Sequence, residues 1–197
     1  SGGRYQYQQV VIQSLIQEFG TEVRVICQIP PRARFQFNND NTPFPRIPLA
    51  EAIEIVAKRG HEITRGGDMD PEGERQIAAH VAETLNHEFV FLTDYPSTVR
   101  PFYHMRHADN DALTNSYDLI WRGTEITTGA QREHRLDVLI EQAKSKGLDP
   151  AGLQSYMDFF KFGAPPHGGF GMGLLRVVML LLHETNIREV GYLFRGP

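Results

Sequence analysis

Gly169, Gly171 and Gly173 fall at every second position of the run His167-Gly168-Gly169-Phe170-Gly171-Met172-Gly173. Two-residue spacing is strand spacing, so one face of such a strand carries no side chains. A bare face lets a flat or bulky group lie directly against backbone. The apolar run Leu174-Leu175-Arg176-Val177-Val178-Met179-Leu180-Leu181-Leu182 follows and reads as a buried helix with one charge. A buried guanidinium is costly without an anion, and a helix N-terminus disfavours a cation. Arg176 is therefore expected to face a strongly negative partner. Bare strand, buried helix and single arginine together point to a nucleotide site, with the arginine on phosphate.

Composition narrows the class. A chain of 197 residues with 41% apolar and 22% charged residues is ordinary for a globular protein and suffices for one domain. A net charge of −4 is not the balance of a stand-alone nucleic-acid-binding domain. Cys27 is the only cysteine, which excludes an intrachain disulfide and a cysteine-built zinc site. A reducing compartment, the cytoplasm, is expected. No apolar run reaches membrane-spanning length, so no membrane partner is expected, and Ser1-Gly2-Gly3-Arg4 does not read as a secretory leader.

Periodicity and turn chemistry give the elements. Helices are expected over Tyr5–Phe19 and Leu49–Arg59, each stopped by glycine, and from the Asp70-Pro71 cap to about Leu85. Val23–Ile29 reads as a short strand, and the proline-rich stretch to Pro48 as loop. Phe89–Thr93 reads as an apolar strand. Tyr117–Trp121 alternates and is expected to keep one polar face, with Glu125–Thr128 as its hairpin partner across Arg122-Gly123. Leu136–Lys146 is expected as a helix. Another should run from the Asp149-Pro150 cap to about Phe160, and the last from about Leu174 to His183. The expected architecture is α+β, an antiparallel sheet flanked by helices.

Several groups have chemical promise. Strict alternation puts Glu125 and Thr127 on one face and Ile126 and Thr128 on the other. A bulge would let Glu125 and Thr128 converge on one cation, and hard oxygen donors suit Mg²⁺. A solvated edge strand is the plainer alternative. Gly129-Ala130 reads as a small-residue turn leading to Gln131-Arg132, where a guanidinium can clamp a carboxylate; pairing of Arg132 with Glu133 or Asp137 is the alternative. His167 stands where a nucleotide could pass, although a lone turn histidine is more often structural. No histidine spacing suits a transition metal, and no nucleophile elbow or lysine-terminated phosphate loop occurs.

In order along the chain, Pro43-Phe44-Pro45-Arg46, Thr93-Asp94-Tyr95-Pro96, Arg100-Pro101-Phe102-Tyr103, Asn115-Ser116-Tyr117-Asp118-Leu119, Arg122-Gly123-Thr124-Glu125-Ile126, Gly129-Ala130-Gln131-Arg132, Phe162-Gly163-Ala164-Pro165-Pro166-His167-Gly168-Gly169-Phe170-Gly171 and Asn186-Ile187-Arg188-Glu189 resemble the C-terminal half of the catalytic domain of aspartyl-tRNA synthetases, archaeal and eukaryotic type. The likeness spans about Thr42 to Arg195. It implies a class II synthetase fold, a homodimer, and activation of aspartate by ATP and Mg²⁺ with transfer to the tRNA acceptor end. It also implies site roles. Glu125 and Thr128 match the positions that hold Mg²⁺ and phosphates, Thr128 lying close to the amino acid as well. Arg132, with Gln131 beside it, matches the clamp on the substrate side-chain carboxylate. Gly171, Gly173 and Arg176 fall in the third class II motif, with Leu174 and His167 counted among the ATP-binding residues.

Leu175 departs from the motif, which has an acidic residue before the arginine, and so does Leu193-Phe194-Arg195-Gly196-Pro197, where Phe-Pro-Arg-Asp is usual. The family's first and second motifs and its anticodon-binding barrel are not in this sequence. The expectation is one catalytic domain over 1–197, with a leading helix and loop at 1–41 and the core at 42–197. It would be a piece of a longer synthetase or a shortened paralogue, with little activity as an isolated chain. Two alternatives remain: a paralogue that activates aspartate or asparagine without charging tRNA, and a non-catalytic aspartate- or ATP-binding module.

Overall fold

The computed structural model describes residues 43–63 and 67–191. The helix expected at Tyr5–Phe19, the strand at Val23–Ile29 and the departure at Leu193–Pro197 lie outside them. The chain divides into two units, Arg46–Met172 and a second made of Ser1–Pro45 with Gly173–Pro197.

The larger unit holds a five-stranded sheet in the order β1-β2-β3-β4-β5. These strands are Arg46–Pro48, Phe89–Thr93, Ser116–Trp121, Thr124–Arg132 and His167–Met172. β1 pairs parallel with β2, and every other pair is antiparallel. The stretch expected to be loop up to Pro48 thus supplies a three-residue strand. Its two flanking prolines suit only an edge position, because a proline cannot donate to a second neighbour. Helix α1 (Leu49–Lys58) follows directly. Helix α2 (Pro71–Leu85) starts as expected: the Asp70 carboxylate accepts from Gly73 N at 2.7 Å, and Pro71 occupies the first turn.

Val90, Leu92 and Ile120 on one sheet face pack with Ala52 and Val56 of α1 and Ile77 and Val81 of α2 to form the main core. A second cluster joins Leu139 and Ala143 of α3 (Leu136–Ser145) to Met157, Phe160, Phe102, Tyr103 and Tyr156. The helix expected from Asp149 to Phe160 is broken into 3₁₀ turns around a short α4 (Gln154–Met157).

Three further expectations need correction. Both faces of β3 are covered: Asp118 is 7% exposed and Ile120 belongs to the core, so the polar face is not a wet one. Gly129-Ala130 is no turn but the middle of β4, which runs on to Arg132. In the smaller unit, α5 (Leu174–Leu181) is one-sided rather than buried all round. Val177 and Leu181, one turn apart, are buried, whereas Leu174, Leu175 and Arg176 are exposed. Arg176 lies about 100° round the helix from Val177, away from that stripe. Among the described residues no helix is long and apolar enough to cross a membrane.

Candidate functional site

The site is built on the register of β3, β4 and β5. Directly paired residues project to the same side of a sheet. Asp118 pairs with Thr128 and Thr128 with Gly171; Ala130 pairs with Gly169, and Arg132 with His167. All of these share the face that carries Leu92 and Ile120.

Glu125 joins them through a bulge. Leu119 pairs with Thr127, but Ile120 pairs with Glu125, so Ile126 is an extra residue on β4. Three residues on β4 thereby span the same distance as two on β3, and Glu125 and Thr128 come to one face. This is the convergence that the sequence allowed only on condition of a bulge.

The glycines leave the floor open. A Cβ placed on Gly171 would meet nothing within 4 Å, and one on Gly169 would meet only the Arg132 guanidinium at 3.9 Å. At Gly129, on the opposite face, a Cβ would run into the Tyr117 phenol. Glycine is thus required at 129 for packing, while at 171 it leaves room.

Arg100 organises the polar centre. Its Nη2 donates to Asp118 Oδ2 at 2.6 Å and its Nη1 to Thr128 Oγ1 at 3.5 Å. Its guanidinium stacks on Tyr95 with 3.6 Å between Cζ and the ring centroid. Burial, reinforced by the Asp118 charge, pushes the Tyr95 phenol well above its ordinary pKa and keeps it protonated. Asp118 Oδ1 is buried without a hydrogen-bond partner.

Arg132 stands at the end of β4. Its Cζ lies 4.8 Å from the centroid of the Tyr103 ring, and its Nη1 is buried with no hydrogen-bond partner. It does not pair with Glu133. The Glu133 side chain is fully buried, and its carboxylate accepts from the Arg135 guanidinium and from the backbone of His134 and Arg135. Those bonds outweigh the cost of burial and hold its pKa below the ordinary value. Arg132 therefore presents an unsatisfied donor, a group that a carboxylate fits.

His104 pairs with Arg132 across an isolated bridge and is 5% exposed. Burial, then the charges of Arg132 and Arg100, push its pKa down to about 3, so its imidazole is neutral. Gln131 alternates to the other face of β4, where Asn115 Nδ2 donates to its Oε1 at 3.3 Å. His167 is exposed; its Nδ1 lies 3.0 Å from Pro165 O and its ring stacks on Phe160. Gly173, Leu174 and Arg176 belong to the smaller unit, Arg176 in the first turn of α5.

Sequence reasoning assigned no role to Arg100, Asp118, His104 or Gln142. Asp118 had a readable signal, a lone carboxylate inside an apolar strand. Gln142 had one too, a polar residue on the Leu139–Ala143 stripe of α3. His104 had none, since only the irregular Asp94–Asn115 connection brings it to Arg132.

Mg²⁺ suits the donor set. Among the described residues no three His, Cys, Asp or Glu side chains cluster to form an all-protein metal cage. One or two carboxylates and a hydroxyl on an open face are what a cation needs when phosphate and water complete its shell.

The family model described as tRNA synthetases class II (D, K and N) matches residues 5–194. The aspartate–tRNA(Asp/Asn) ligase of Aeropyrum pernix is 52% identical over 152 residues, 77% of this chain and 34% of that protein. The aspartate–tRNA(Asp) ligase of Pyrococcus abyssi is 45% identical over 156 residues, 79% of this chain and 36% of that protein. Among solved structures, an aspartyl-tRNA synthetase from Entamoeba histolytica superposes with a TM-score of 0.81 at 33% identity, covering 100% of this chain and 41% of that one. Asparaginyl-tRNA synthetase from Pyrococcus horikoshii gives a TM-score of 0.77 at 27% identity over 91% of this chain and 41% of that one. The chain spans about a third of the length of the curated relatives it matches. Matched by that family model over residues 5–194 and 52% identical to one of its relatives, the chain belongs to the class II tRNA synthetases of the D, K and N group.

Proposed function

We propose that this chain carries the amino-acid-activating part of an aspartate–tRNA ligase: ATP-dependent formation of aspartyl-adenylate, followed by transfer to the tRNA acceptor end, in a homodimeric cytoplasmic enzyme. The observation that carries the reading is the unpartnered, buried Nη1 of Arg132 on the same sheet face as Asp118, Glu125 and Thr128. A planar fork with an unmet donor selects a carboxylate over the amide of asparagine.

The chemistry needs no protein nucleophile. The substrate α-carboxylate attacks the α-phosphorus and pyrophosphate leaves, so one P–O bond forms as another breaks. Catalysis is then mostly positioning and charge neutralisation. Arg132 holds the side-chain carboxylate and fixes the direction of attack. Glu125 and Thr128, with Asp118 nearby, hold Mg²⁺, which when bound neutralises phosphate charge. Gly171 leaves room for the adenine against backbone, and Arg176 is assigned to a nucleotide phosphate. Arg100 anchors Asp118 and orients the Thr128 hydroxyl.

The test is ATP–pyrophosphate exchange by the full-length gene product with aspartate and asparagine compared, then charging of tRNA. Aspartate-dependent exchange together with charging supports the reading. Exchange without charging replaces it with an aspartate-activating enzyme of another pathway, and absence of exchange from folded protein removes both.

A further inference from the structure

Gln142 lies outside every role assigned so far, and its surroundings are unusual for a helix side chain. It sits on the buried stripe of α3, 4% exposed, between Leu139 and Ala143. Its Nε2 reaches across to a different segment and donates to Phe102 O at 2.7 Å and His104 O at 3.3 Å. Those two carbonyls flank Tyr103, whose ring lies against the Arg132 guanidinium. Tyr103's own carbonyl accepts from Glu133 N at 3.0 Å, one residue beyond Arg132.

We propose that Gln142 is a positioning residue for Arg132, acting through Tyr103, and that it thereby sets the affinity and selectivity for the substrate carboxylate. The proposal rests on the reading of Arg132 as the group that receives that carboxylate. A guanidinium lying over a ring face is held there by a cation–π contact and leaves N–H groups for a ligand. That contact orients the fork only as well as the ring is itself held. Gln142 holds the backbone on both sides of that ring with one buried amide. The neutral His104 beside Arg132 adds no third positive charge that would push the fork aside.

A plainer role for Gln142 is to fill the α3 cluster, and kinetics separates the two. Gln142→Leu keeps the volume and removes both donated bonds. In the full-length gene product, KM for aspartate in ATP–pyrophosphate exchange is expected to rise about tenfold with KM for ATP unchanged, because only the orientation of one fork is lost. Aspartate binding measured calorimetrically should weaken by the same factor. Gln142→Glu, which removes the donor without changing shape, should do the same if it folds; if it does not, Gln142→Leu decides alone. Tyr103→Leu should reproduce the effect, and the double variant Tyr103→Leu/Gln142→Leu should be no worse than Tyr103→Leu, since two steps of one relay do not add. A folded Gln142→Leu protein with unchanged aspartate KM overturns the proposal. So does an equal rise in both KM values, or a double variant whose losses multiply. If the unmodified protein shows no aspartate-dependent exchange, the reading of Arg132 fails first and this proposal with it; aspartate-dependent exchange with an unaffected Gln142→Leu variant overturns this proposal alone.

Discussion

Arg100 and Asp118 form a buried pair, 2.6 Å between Nη2 and Oδ2, with the side chains 13% and 9% exposed. The guanidinium is stacked on Tyr95 and also reaches Thr128, so one residue ties β3, β4 and the Asp94–Asn115 connection together. A pair this buried is costly to break, because the remaining partner keeps its charge without its counterion. Arg100→Met is predicted to destabilise the fold by about 3 kcal/mol in urea unfolding. Loss of stability below about 1 kcal/mol would mean that Asp118 is hydrated rather than enclosed.

His104 predicts a pH dependence. Its folded pKa of about 3 lies below the ordinary histidine value, so between those two values the unfolded chain binds a proton that the folded one does not. Stability from this group is complete at neutral pH and falls as pH drops from the ordinary value towards 3, by up to about 1.4 kcal/mol per pH unit. His104→Gln should flatten the acid limb of stability against pH between about pH 6 and 4. In the unmodified protein the His104 ring resonances should not titrate in that range; titration near the ordinary value contradicts the account.

Two glycines of the same sheet should respond in opposite ways. Gly129→Ala forces a methyl group into the Tyr117 phenol and should cost about 1–3 kcal/mol of stability, read as a lower Tm. Gly171→Ala projects into open space and should leave Tm nearly unchanged. It should still raise KM for ATP, because the methyl group occupies the face proposed for adenine. A Gly171→Ala variant with unchanged ATP kinetics would place the adenine elsewhere.

Much of this arrangement is legible in the sequence. Glycine alternation gave β5, the Asp70-Pro71 cap gave the start of α2, and the spacing of Glu125 and Thr128 raised the question that the Ile126 bulge answers. What escaped has physical reasons. The apolar run after Gly173 promised burial all round, yet in α5 only Val177 and Leu181 are buried and Leu174 and Leu175 are exposed, because hydrophobicity alone does not say how many neighbours a helix has. Arg100, His104 and Gln142 act through contacts between residues far apart in sequence, across an irregular connection with only isolated bridges at Pro96, His104 and Arg106. No period marks such residues.

Thr128→Val keeps the β-branched shape but removes the hydroxyl, and Glu125→Gln removes a charge. Both should shift the Mg²⁺ dependence of pyrophosphate exchange to higher concentration, and Glu125→Gln should lower kcat by about 100-fold. A Glu125→Gln variant with ordinary Mg²⁺ dependence would mean that the bulge does not serve a cation.

The central claim is that Arg132 receives a side-chain carboxylate. Calorimetric titration of aspartate and of asparagine into the full-length gene product and into Arg132→Met tests it most directly. A bidentate, charge-assisted pair predicts aspartate binding at least about tenfold tighter than asparagine, with the difference abolished in Arg132→Met. Aspartate binding that survives Arg132→Met undiminished would contradict the account.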